Sequence, residues 1–244
     1  MSELNLGNQF TYNTDKNEII VDMDGVLCHI DTKWVGKMHE PANFDYFNKF
    51  LRLSKDFDPR LHDVTVFSRP DFYLDKWLVR KDIFDKFSDS EVTEMRERMM
   101  SLYNDDDTFY DNLFPTDLGK AIAFTLKQPI LKKVTVVSRV TSNNTASKER
   151  FIKKLFTGSM NKVDIYFVEK NEKKSDVINN LNGSKINAYY EDEISNVDDV
   201  IRNCKDFKDS QLFIPSYGYN TVIPEETKML AQSKGIEFKY YSVY

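Results

Sequence analysis

Apolar residues are packed most densely at three places along the chain. Ile19-Ile20-Val21 runs into Asp22-Met23-Asp24-Gly25, Lys133 to Ser138 reads KVTVVS, and Ile186 to Tyr190 reads INAYY before Glu191-Asp192. Short runs of this kind, bounded by polar turns, predict strands buried on both faces. Glu18 to Asp22, Val163 to Val168, Gln211 to Ile214 and Glu237 to Tyr241 complete the set of strands. Helical periodicity fills the gaps between them. Leu118, Ala121, Ile122 and Leu126 share one face, as do Phe151, Ile152, Leu155 and Phe156 in a helix from Lys148 to Phe156. Ser175 to Leu181, Val197 to Cys204 and Glu225 to Lys234 add three further helices, the last stopped by Gly235. From residue 115 onward strands and helices alternate, which calls for a parallel sheet covered on both faces.

The stretch between the first strand and Lys133 breaks that alternation. A helix from Ala42 to Leu53 follows Pro41, DVTVFSRP at 63–70 reads as a short strand, and Asp71 to Tyr103 reads as helical throughout. Val92, Met95, Met99 and Leu102 form its apolar stripe, and a Met stripe at this spacing belongs to a core. The segment reads as an insertion.

Composition narrows the picture. A chain of 244 residues with 41% hydrophobic and 30% charged residues is that of a soluble globular protein long enough to bury a core. A net charge of −5, with no strongly basic segment, argues against a nucleic-acid polymer as partner and leaves charged small molecules open. Cys28 and Cys204 are too few for a disulfide framework and lack metal-ligand spacing, so both read as packing residues in a reducing compartment. The N-terminal residues have no basic and apolar signal pattern and no run of about 18 apolar residues occurs, so a cytoplasmic protein without membrane attachment is expected.

The chemistry concentrates at strand ends. Asp22 and Asp24, two apart, point to the same side, and Gly25 permits the tight turn behind them. Two carboxylates that close repel, and a divalent metal or a shared proton relieves them. In a parallel sheet Asp22, Asp24, Ser138, the Lys173-Lys174 loop and Glu191-Asp192 all come to one edge. That set suits attack on a phosphate: a carboxylate nucleophile, a second acid, a hydroxyl and an ammonium for the phosphoryl oxygens, and further carboxylates for a cation. Lys174 is preferred to Lys173 because a helix starts immediately after it. Ser138 has a rival in Ser68, since VTVFSR nearly repeats VTVVSR, but the lysine and acidic pair follow Ser138 at ordinary loop lengths.

The ordered set, hhhDxDGVL at 19–27, Ser138, Lys174 and Glu191-Asp192-x-x-x-Asn196, resembles the haloacid dehalogenase (HAD) superfamily of phosphohydrolases. VDMDGVLCHID and SLYNDDDTFYDNLFPTDLGKAI are most similar to its 5'(3')-deoxyribonucleotidase branch. The resemblance implies an α/β fold, a HAD-like Rossmannoid three-layer sandwich with a mainly parallel sheet. Residues 1–30 and 114–244 would form the core and 31–113 a helical cap. It further implies Asp22 as nucleophile through an aspartyl-phosphate, Asp24 as general acid then base, and Ser138 and Lys174 on the phosphoryl group. Mg²⁺ would be held by Asp22, the Asp24 backbone carbonyl and Asp192, with Glu191 as neighbour or ligand and Asn196 supporting the loop. Arg139 stands where that branch has a small residue or proline and would add a cation at the phosphate. Phe109 and Tyr110 either stack on a base or belong to the cap core. A small phosphorylated substrate, a nucleoside monophosphate first, is the expected partner; another small ester, a terminal phosphate of a nucleic acid, a non-catalytic binding role and a homodimer stay open.

Overall fold

The strand runs assemble into one six-stranded sheet, entirely parallel, in the order β3-β2-β1-β4-β5-β6. The structure is a computed structural model and describes residues 16–53, 86–169, 171–217, 220 and 222–241. Outside them lie the expected strand at 63–70 with Ser68, the first half of the long helix, and Gly218 and Tyr219.

β1 (Glu18–Val21) leads to α1 (Asp31–His39), α2 (Pro41–Phe47) and α3 (Asp89–Asn104). α4 (Asp117–Leu126) and β2 (Lys133–Arg139) follow, then α5 (Thr145–Leu155), β3 (Val163–Val168), α6 (Lys174–Ile178) and β4 (Ile186–Tyr190). α7 (Ile194–Asn203), β5 (Gln211–Pro215), α8 (Glu225–Ser233) and β6 (Glu237–Tyr241) close the chain.

β1 sits at the centre because its three apolar residues bury both faces. Ile19 and Val21 belong to one hydrophobic cluster with residues of α1, α3, α4 and α5, whereas Ile20 belongs to a second with Val197, Val200 and Ile201 of α7 and Ala231 of α8. Opposite pointing of successive strand residues thus seeds two cores, and the result is three layers. Trp34, Met38, Met95 and Met99, from the expected insertion, share the first cluster with the sheet.

Some elements begin or end elsewhere than their sequence pattern suggests. α2 stops at Phe47 rather than Leu53. α5 begins at Thr145, three residues before the predicted start, which places Lys148 inside the helix and on its buried side. In α3, capped by a reciprocal Ser88 and Glu91 pair, the fully covered positions are Met95, Met99 and Tyr103, a strict i+4 series.

Candidate active site

The strand order reverses direction at β1: the chain goes outward through β2 and β3, then returns to the other side of β1 for β4. Carboxyl ends of strands at such a switch point leave a crevice, because the connections on either side diverge. Asp22 and Asp24 follow β1, Ser138 and Arg139 end β2, and Glu191 and Asp192 follow β4. A cavity of about 690 Å³ opens there, between this edge and α3, and Asp22, Asp24, Arg139, Lys174 and Asp192 line it.

The turn after β1 is built by backbone geometry. The Asp22 N–H still donates to Tyr190 O at 2.9 Å, which holds Asp22 in register with β4. Gly25 then takes φ +71°, and a Cβ built there would lie 2.6 Å from Asp192 Oδ2 and 3.2 Å from Tyr217 Cε2. Tyr217 donates its hydroxyl to the Gly25 carbonyl, and Asn220 Nδ2 donates to Asp192 O at 3.0 Å. The C-terminal segment therefore braces both acidic loops. Gly25→Ala is expected to cost about 1–2 kcal/mol from the left-handed backbone alone. It should also displace Asp192, so that a thermal melt shows both a lower Tm and a weaker upward shift on adding Mg²⁺; an unchanged Mg²⁺ shift would contradict this geometry.

Lys174 is the electrostatic centre. Its ammonium is 99% covered by side-chain accessibility and lies 2.9 Å from Asp22 Oδ1 and 2.7 Å from Glu191 Oε2. Burial alone would lower its pKa, but the Asp22 and Glu191 charges override this and hold it well above the ordinary lysine value. Lys173, by contrast, is largely exposed and reaches only Asp199. Glu191 is saturated: Oε2 takes Lys174 and the Tyr189 hydroxyl, while Oε1 takes Glu193 N at 3.1 Å and Asn196 Nδ2 at 3.3 Å. Burial pushes its carboxyl upward, against the pull of Lys174.

Asp24 has partners that its sequence neighbourhood does not announce. Lys148 Nζ lies 2.6 Å from Asp24 Oδ2, 3.1 Å from Ser138 Oγ and 2.7 Å from Arg139 O. Tyr103 Oη donates to the same Asp24 oxygen at 3.0 Å. Burial, then the Asp24 charge, raises the Tyr103 pKa far enough to keep it a donor. Cys28 Sγ, 3.8 Å from Asp24 Oδ1, is likewise driven up by burial and Asp24 and stays a thiol.

Two expectations need correction. Phe109 and Tyr110 are both fully buried, packed edge to face against each other and against Tyr103 in the case of Phe109. Neither ring offers a face to a base. Ser138 is also closed from solvent and its hydroxyl faces Lys148; its direct part is to hold that lysine. Glu191 keeps its place in the acidic cluster, its oxygens also taking Lys174, Tyr189, Glu193 and Asn196, while Asp192 is the member that lines the cavity. Arg139 does line it, while donating to Glu169 O, Glu172 O and Asn196 Oδ1 at 3.2, 3.3 and 3.4 Å. Lys148 and Tyr103 were the residues missed. The signal for Lys148 is its place three and four residues before Phe151 and Ile152, a charge on an apolar stripe.

The donor set fits a hard divalent cation. Asp22, Glu191 and Asp192 each present a carboxylate oxygen within 4.8 Å of the others. Asp22 Oδ1 is buried, with the Lys174 ammonium at 2.9 Å as its charge partner. Buried carboxylates crowded this closely, with only oxygen donors, suit Mg²⁺ rather than a softer metal.

The chain matches no protein-family model and no curated protein. Among solved structures it is similar to a haloacid dehalogenase-like family hydrolase from Xanthomonas campestris, with TM-score 0.44 and 11% identity over 91% of this chain and 98% of that one. CbbY from Rhodobacter sphaeroides, solved in complex with phosphate, gives TM-score 0.43 and 10% identity over 85% and 89%. Likeness at this level carries no argument about activity, which rests on the side chains.

Proposed function

We propose that the chain is a Mg²⁺-dependent phosphomonoester hydrolase of the haloacid dehalogenase type, working through an aspartyl-phosphate. The observation that carries the reading is the Asp22 carboxylate at the switch point, paired with buried Lys174 at 2.9 Å and facing a cavity shared with Asp24 and Asp192. An Asp22 oxygen attacks phosphorus and the ester P–O bond breaks, its electron pair going to the leaving oxygen. Asp24, as the acid, gives that oxygen a proton. Asp24, now a carboxylate, takes a proton from water as the water oxygen attacks phosphorus. The P–O bond to Asp22 breaks and the Asp22 carboxylate is restored. Lys174 offsets the charge that accumulates on Asp22 and the phosphoryl oxygens. Asp22, Asp192 and the Asp24 backbone carbonyl, with Glu191 behind them, would hold Mg²⁺, whose charge would neutralise that of the carboxylate and the phosphoryl oxygens.

For the substrate, nucleoside monophosphates are proposed first, on the resemblance of residues 101–122 to the deoxyribonucleotidase segment. Phe109 and Tyr110 are closed to the base, and the cavity wall open to it is the one that Arg96, Met100 and Tyr103 line. Phosphate release from nucleoside 5'- and 3'-monophosphates, sugar phosphates and phosphorylated oligonucleotides, with Mg²⁺ or EDTA, tests both levels. Mg²⁺-dependent release concentrated on the nucleotides is the expected result. Release from sugar phosphates alone would remove the nucleotide assignment, and none from any ester would remove the hydrolase.

A further inference from the structure

A carboxyl group that gives a proton to the leaving oxygen and later takes one from water has to be held toward the reacting atoms both times. Asp24 is held by two donors on one of its oxygens. Oδ2 accepts from Lys148 Nζ at 2.6 Å and from Tyr103 Oη at 3.0 Å. Two donors fill the lone-pair directions of Oδ2 and fix the orientation of the carboxyl, while Oδ1 meets the weak Cys28 thiol donor at 3.8 Å. Neither donor is free to swing. Lys148 is fully buried, with its remaining donors on Ser138 Oγ and Arg139 O and the Tyr110 ring 4.9 Å away. The Tyr103 ring packs against Trp34 and Phe109 at centroid distances of 5.5 and 5.4 Å, and Trp34 Nε1 donates back to Met99 O of the same helix at 2.7 Å.

Resting on the phosphohydrolase reading, we infer that Lys148 and Tyr103 are positioning residues that fix the Asp24 carboxyl as the proton donor to the leaving group. The two come from different elements: Lys148 from α5, buried beneath the sheet edge, and Tyr103 from the end of α3, whose residues line the cavity. Aim of the proton is therefore tied to the seating of α3. A buried lysine that served only to neutralise Asp24 would need no second donor on the same oxygen, and Tyr103 would need no hydroxyl.

Leaving groups separate this role from a merely structural one. An alkyl phosphate expels a strongly basic oxygen and depends on the proton donor; an aryl phosphate expels a weakly basic one and depends on it little. Because kcat/KM reports steps up to transfer of phosphorus to Asp22, it reads the donor without interference from the later attack of water. Glycerol 2-phosphate and p-nitrophenyl phosphate, with Mg²⁺, are the two probes. Lys148→Met is expected to lower kcat/KM for the alkyl ester about 100-fold, and Tyr103→Phe about 10-fold, while both lower it for the aryl ester less than about 5-fold. Asp24→Asn should show the same selectivity, with a burst of p-nitrophenolate from the first step. Tyr103→Phe keeps the ring packing and tests the idea should Lys148→Met fail to fold. Wild-type turnover with equal losses on both esters in Tyr103→Phe, or with none, would overturn the positioning role alone. A wild type inert toward the aryl ester would overturn the hydrolase reading beneath it.

Discussion

Asp22→Asn should abolish phosphate release while leaving the fold nearly as stable as the wild type. Removing the nucleophile of a covalent mechanism costs about 10⁴-fold or more, because the remaining groups have no bond to make to phosphorus. Stability behaves differently. Asp22 lies beside Glu191 and Asp192, so neutralising it relieves repulsion among three carboxylates, while Lys174 retains Glu191 at 2.7 Å. These changes oppose one another, and the shift in Tm should stay within roughly 4 °C, about 1 kcal/mol for a chain of this size. Steady-state assays beside calorimetry check both halves. Residual turnover near that of the wild type would refute Asp22 as nucleophile; a collapse in Tm would mean that its charge holds the core together.

Lys174→Met is the contrasting case, in which activity and stability fall together. The substitution strands two buried carboxylates, and breaking a buried pair from one side costs about 3–5 kcal/mol. For this size of domain that is a Tm lower by about 10 °C. The pH dependence follows from the direction of the shifts. Lys174 is held above its ordinary value of 10.5, so its stabilisation is complete below that value and is lost as pH rises through the higher folded one. Glu191, already pushed upward by burial, loses its main counter-charge in the variant and takes up a proton more readily. The variant therefore regains stability in acid and loses it as pH rises through that raised value. The gap between the two proteins should be widest above the raised Glu191 value and below the ordinary lysine value of 10.5, and narrow on both sides. Mg²⁺ should raise the Tm of the variant more than that of the wild type, since a cation among Asp22 and Asp192 replaces the missing charge. A gap that stays flat from acid to alkali would show that the ammonium is not what holds these carboxylates.

How much of this was legible beforehand depends on the range over which each feature is encoded. β1 and its acidic turn, the strand ending in Ser138 and the acidic pair after β4 were all visible, because alternation of side chains, β-branching and turn residues act over a few positions. Lys174 was legible for the same reason, being fixed by the helix start next to it. Lys148 was not. A lysine in a Lys-rich helix reads as solvated until the helix is known to start at Thr145 and to turn that position toward Asp24. Phe109 and Tyr110 show the converse, since an aromatic pair looks the same whether its rings meet a ligand or, as here, each other and the ring of Tyr103.

The sequence by itself determined the class of fold, the six strands of the sheet and the acidic, hydroxyl and lysine residues at the strand ends, since these follow from local periodicity and from side-chain type. Only the tertiary structure decided that β1 lies between β2 and β4, so that Asp22 and Asp192 share one crevice. It also decided which carboxylate oxygens are already filled, at Glu191 by Lys174 and Tyr189, and at Asp24 by Lys148 and Tyr103. Apart from Tyr189, two positions from Glu191, those pairings join residues 17 to 124 positions apart in the chain. They exist because burying both faces of β1 closes the loops between them, a condition that no short window of residues can express.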